Sequence, residues 1–160
     1  MSFVVDSSVA LSWCFEDERT QATRALLERV GEAGAIVPQH WPAEVLNGLM
    51  MAERRQRIDA GRRRKLAEFL HDLPLAIDPE TTVQLWGPTQ SLAERFRLTA
   101  YDAIYLELAQ RKQLALASLD QDLCSAATTV GVPVLGSRGV RLASSEMVEI
   151  RRAEWCGAAV

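Results

Sequence analysis

Four acidic residues stand where the chain changes character. Asp6 follows the apolar run "SFVV", Glu44 lies in "WPAEVLNGL", Asp102 in "LTAYDAIYLELA", and Asp120 closes "LASL". Singly, each has a local explanation. Glu44 and Asp102 suit helix N-termini electrostatically, and Asp120 can cap the helix "QDLCSAATTV". Gathered on one rim they would do more, because packed carboxylates repel and need a cation. Hard divalent ions neutralise such a group through carboxylate oxygens and retained waters. An ion held there can position a water, lower its pKa and stabilise the leaving oxygen in phosphodiester hydrolysis. Rival chemistries lack their residues. "DSS" at 6–8 has no histidine beside it to act as base, and His40 and His71 are too few for a zinc cage. Neither GxxxxGK[ST] nor GxGxxG occurs. Asp122 is a fifth acid, read first as a helix-start residue.

The elements that would position these acids are legible from apolar runs and breakers. "SFVV", "AIV", "PLAID", "LALASL" and "VPVLG" read as strands. Between them, "TQATRALLERVGEAG" shows helical spacing with Gly31 and Gly34 available to end it. Pro42 favours a helix start in "WPAEVLNGLMMAERR", and Asp59 can cap "AGRRRKLAEFLHDL". "TTVQLWGPTQSLAERF" is helical with a break expected at Gly87 and Pro88. Strands alternating with helices give an α/β domain around a mostly parallel sheet. Ligands bind outside the carboxyl ends of such strands, where the following helices also start, so all four acids can converge there.

With 160 residues, 48% apolar and 24% charged, the chain reads as one globular domain. We place it at 1–143, with 144–160 an extension of unassigned structure. No apolar run approaches the roughly 18 residues of a membrane span, and the N-terminus lacks a basic signal region. Cys14, Cys124 and Cys156 are odd in number and form no CxxC, so a soluble, cytoplasmic protein is expected. Between Arg54 and Lys65 lie seven basic residues against one acid, on a chain whose net charge is −3. Such an island suits an anionic partner, although a solvated helix junction has the same composition.

"VVDSSVAL", "PAEVLNGL", "LTAYDAIYLELA" and "LASLDQDL" resemble, in order and spacing, the PIN-domain ribonucleases, and most of all the VapC-type toxins of bacterial toxin–antitoxin pairs. The likeness runs over residues 3–135. It implies a parallel sheet of about four to five strands flanked by helices, and a metal-dependent endoribonuclease. Asp6, Glu44, Asp102 and Asp120 would be the catalytic acids, with Asp6, Asp102 and Asp120 holding Mg²⁺ or Mn²⁺. Ser118, two before Asp120, stands where relatives often carry Thr and keeps the hydroxyl. Arg54, Arg55, Arg57, Arg62, Arg63, Arg64 and Lys65 would hold the RNA backbone, arginine's planar fork suiting phosphate. The resemblance further implies a homodimer inhibited by a cognate antitoxin. A catalytically inactive RNA- or protein-binding module on the same fold is the alternative, but such a module would lose acids, and all four are present. Receiver domains and haloacid-dehalogenase-like phosphatases want other acid patterns at the first strand, where this chain has "DSS".

Overall fold

Val4 and Val5 form the middle strand of a five-stranded parallel sheet, β1, and both are fully buried with Phe3. A strand covered on both faces by helices reads as a continuous apolar run rather than an alternating one. The computed structural model describes residues 2–136; the extension at 144–160 and Cys156 lie outside the described residues. In chain order, α1 (Ser7–Cys14) and α2 (Gln21–Ala33) precede β2 (Ala35–Val37), followed by α3 (Trp41–Arg54) and α4 (Ala60–His71). Then come β3 (Leu75–Ile77), α5 (Thr81–Gln84), a π-helical turn at Leu85–Thr89 and α6 (Gln90–Phe96). α7 (Ala100–Lys112), β4 (Leu116–Ala117), α8 (Gln121–Thr129) and β5 (Val134–Leu135) complete the described chain.

The strands lie in the order β3-β2-β1-β4-β5, with Val4 opposite both Ile36 and Leu116. The chain winds outward from β1 to β3, then crosses back to β4. That reversal opens a crevice at the carboxyl ends of β1 and β4, the general ligand position of open α/β sheets. Asp6 and Asp120 flank it.

Local signals end most elements as the residues suggest. Thr20 caps α2 in a reciprocal pair with Thr23, and Gly34 (φ 66°), not Gly31, closes it. Asp59 accepts from the Arg62 amide at 2.7 Å and starts α4. The break at Gly87 and Pro88 takes the form of the π-helical turn, whose wider ring accommodates a residue without an N–H.

Helix α1 has no sequence signal of its own. Val9, Ala10, Ser12, Trp13 and Cys14 are all buried, so the helix shows no polar stripe. Trp13 is core, and its Nε1 donates to the Thr23 carbonyl at 2.8 Å, which locks α1 to α2. Trp41 is core as well. Gly48 lets α3 lie close against α1, since a Cβ there would stand 2.6 Å from Leu11 Cδ1. α7 is the central helix, buried without interruption from Ala103 to Ala109. Its end is stapled to the edge of the sheet by Arg111, which donates to Asp78 Oδ2 at 2.8 Å, Glu80 Oε2 at 2.7 Å and Glu107 Oε1 at 2.7 Å. Among the described residues, no helix is long and apolar enough to cross a membrane.

Candidate active site

Asp6 leaves β1 pointing into the crevice with its side chain almost wholly buried. Two hydroxyls donate to its Oδ2, Ser8 Oγ at 2.6 Å and Ser118 Oγ at 2.6 Å. Both hydroxyls are themselves acceptors: the Leu119 amide donates to Ser8 Oγ and the Asp120 amide to Ser118 Oγ, each at 3.1 Å. Two amides of the loop after β4 are thus relayed through serines onto one carboxylate oxygen. Oδ1 has only a long contact from Ser7 Oγ, 3.3 Å.

The other three acids repeat this division. Glu44 Oε2 accepts from the Tyr105 hydroxyl and lies 3.2 Å from His40 Nε2. Asp102 Oδ2 accepts from Thr99 Oγ1 at 2.6 Å. Asp120 Oδ1 accepts from the Leu123 amide at 2.8 Å, so its capping role is real. In each carboxylate the strong bonds gather on one oxygen, which fixes the group and leaves the second oxygen for a ligand.

The charges couple the set. Burial pushes the Asp6 carboxyl up, with a further push from Glu44. Burial raises Asp102 too, and both Asp120 and Glu44 add to it. Glu44 goes the other way: burial would raise it, but His40 and Tyr105 more than offset that and hold it below the usual carboxylate range. The Tyr105 hydroxyl is raised by burial and by Glu44 and Asp6, so it stays a donor. All four acids predicted from the sequence therefore belong to one electrostatic group. Among the described residues, however, no three His, Cys, Asp or Glu side chains stand close enough to hold a metal ion between them. Mg²⁺ retains several waters and needs only one or two direct carboxylates, so the donor set still fits it.

A family model for the PIN domain matches residues 3–128. The chain belongs to the PIN domain family. Solved structures agree on the fold of this PIN domain. PAE2754 from Pyrobaculum aerophilum is 18% identical, with a TM-score of 0.61 over 84% of this chain and 89% of that one. VapBC2 from Rickettsia felis, bound to a DNA fragment from its promoter, is 10% identical, with a TM-score of 0.58 over 86% and 98%. A toxin–antitoxin complex from Klebsiella pneumoniae is 16% identical, with a TM-score of 0.55 over 84% and 97%. No curated protein matches the chain in sequence.

Four residues that bear on the PIN-domain site were not singled out as site residues in the sequence: Ser8, His40, Thr99 and Tyr105. Two had a spacing signal. His40 precedes Glu44 by one helical turn and Tyr105 follows Asp102 by three residues, the separation that brings side chains together. Asp122 is exposed in the first turn of α8.

The basic stretch does not join the acids. Ten residues separate Glu44 from Arg54, about 15 Å along α3, and the stretch occupies the far end of that helix. Two of its members are already committed. Arg57 pairs with Asp17 and Glu18 at 2.6 Å each and lies 4.0 Å over the Phe15 ring. Arg63 pairs with Glu53. Arg54, Arg55, Arg62, Arg64 and Lys65 remain exposed.

Proposed function

We propose that this PIN domain is a metal-dependent endoribonuclease, the toxin of a toxin–antitoxin pair. The observation that carries the reading is the shared design of Asp6, Glu44, Asp102 and Asp120: one oxygen anchored by the protein, one left for a ligand, on the crevice of a PIN fold. Asp6, Asp102 and Asp120 would hold Mg²⁺ or Mn²⁺, one or two of them directly and the rest through the ion's retained waters; the ion when bound lowers the pKa of a water and offsets charge on the leaving oxygen. Glu44, kept ionised by His40 and Tyr105, is the acid suited to take a proton from the attacking water. The serine relay fixes Asp6 without adding a positive charge that would compete for its free oxygen. In this reading the carboxylates bind and orient, and water is the attacking group.

Incubation with total RNA gives discrete fragments in Mg²⁺ or Mn²⁺ and none in EDTA. Cleavage that survives EDTA eliminates the metal mechanism. The exposed cations at the α3–α4 turn suit the RNA backbone at a distance from the cut. For a single strand, each phosphate neutralised contributes about −0.7 to the slope of log K against log salt. Replacing Arg62, Arg64 and Lys65 with Ala therefore flattens that slope by up to about 2, uniformly across unrelated sequences. An unchanged slope makes the island a solvated face. The antitoxin partner, the homodimer and the cytoplasmic setting follow from the family reading; the Klebsiella pneumoniae relative was solved as a toxin–antitoxin complex.

A further inference from the structure

We infer that Tyr101, backed by His40, is a stacking platform for one nucleobase of single-stranded RNA beside the scissile phosphate. The inference rests on the nuclease reading and adds to it the part of the substrate that is gripped. Tyr101 directly precedes Asp102 in α7 and is 59% exposed, a large aromatic left open at the acidic rim. Its ring is held in place. The His40 ring centroid lies 5.5 Å away with the planes at 47°, and His40 packs edge-on against Tyr105 at 5.2 Å. Tyr105 in turn donates to Glu44. The exposed ring is thus tied through two others to a catalytic acid, and less freedom remains to be lost when a base settles on it.

The surroundings favour a base over a protein surface. Arg97, Thr99 and Ala100 lead into Tyr101 and are all exposed, so the segment that carries the ring is small, polar and cationic. A protein partner would want a contiguous apolar patch. Unstacked bases are held on aromatic side chains by their π-faces, with little dependence on which base is present. His40 touches both Tyr101 and Glu44, which places the ring at the edge of the acidic rim.

The test uses the full chain and a fluorescein-labelled single-stranded RNA spanning a mapped cleavage site, with binding read by anisotropy in EDTA. Tyr101→Ala weakens binding about ten-fold, within the range that base–aromatic stacking supplies, whereas Tyr101→Phe stays within about two-fold of wild type. A series of RNAs, each with one abasic position, then locates the base. Removing one particular base reproduces the loss in wild type and adds nothing in Tyr101→Ala. Wild-type affinity in Tyr101→Ala overturns the proposal, as does a loss in Tyr101→Phe equal to that in Ala. Abasic losses that add fully to the Ala loss also overturn it. If Tyr101→Ala keeps RNA affinity but escapes the antitoxin, the ring belongs to a protein contact and the proposal falls while the nuclease reading stands. Wild type that neither cleaves nor binds RNA removes both.

Discussion

Asp6→Asn abolishes cleavage and at the same time raises the melting temperature of the metal-free protein. The two effects have one cause. Asp6 is a buried carboxylate whose pKa is raised first by burial and then by Glu44. A raised folded-state pKa means that this acid's contribution to stability is fully present below the unfolded value of about 3.9 and is lost as pH rises through the folded value. At neutral pH the ionised acid is therefore a liability. Asparagine keeps the shape, and its carbonyl oxygen can accept from both Ser8 and Ser118 in place of Oδ2. The variant gains on the order of 1 kcal/mol, the size of a screened charge pair, which is about 3 °C for a domain of this size. The gain opens above about pH 4 and disappears below it. Mg²⁺ raises the wild-type melting temperature more than the variant's, because an ion bound only by the native state stabilises it by mass action. Thermal melts with EDTA and with Mg²⁺ across pH decide it. A variant melting well below wild type in EDTA would make Asp6 a structural acid and break the convergent site.

The largest loss of stability is expected at Arg111, far from the chemistry. Its guanidinium is the common partner of Asp78, whose side chain is fully buried, and Glu107, which is nearly so. Lys112 reaches only Asp78, at 3.5 Å. Arg111→Ala leaves these acids without their main partner, and breaking a buried pair from one side costs about 3–5 kcal/mol. The melting temperature should drop by about 10 °C or more. Burial works to raise Asp78, but Arg111, Thr81 and Lys112 more than offset it and hold its carboxyl below the usual range. For a depressed acid the stabilisation is present above the unfolded pKa and vanishes as pH falls through the folded one. The gap between wild type and variant therefore narrows below about pH 4. Lysine is a poor replacement, since a single ammonium cannot fork across three carboxylates. Melts of Arg111→Ala indistinguishable from wild type at pH 7 would show that the network carries no net stability.

How much of this was readable from the residues depends on which physics set them. The placement of the acids at element ends was legible because a carboxylate beside an apolar run marks where a strand stops or a helix starts, and the α/β alternation because turns and caps carry local signals. Helix α1 was not. Its apolar residues face the core on every side, so the period that betrays a surface helix never forms. The supports of the acids were hidden for another reason. Ser8 is an ordinary serine until the sheet brings β1 beside β4, and Ser118 drew notice only through the family resemblance. The basic island was the opposite case, a loud compositional signal whose place in space could not be heard. Arg57 and Arg63 turn out to serve Asp17, Glu18 and Glu53.

The hydrogen bond from Ser118 to Asp6 joins positions 112 residues apart, across the crossing from β1 to β4. That separation sets an order of events during synthesis. The acids leave the ribosome as Asp6, Glu44, Asp102 and finally Asp120, and β1 has no β4 beside it until nearly the whole described chain has emerged. A nascent fragment holding the first two acids has neither the serine relay on Asp6 nor the second pair of carboxylates. The ribonuclease proposed above is made surrounded by RNA, on a machine built from it. Here the connectivity of the sheet itself acts as a timer, withholding the complete rim of four acids until translation of the domain is almost over.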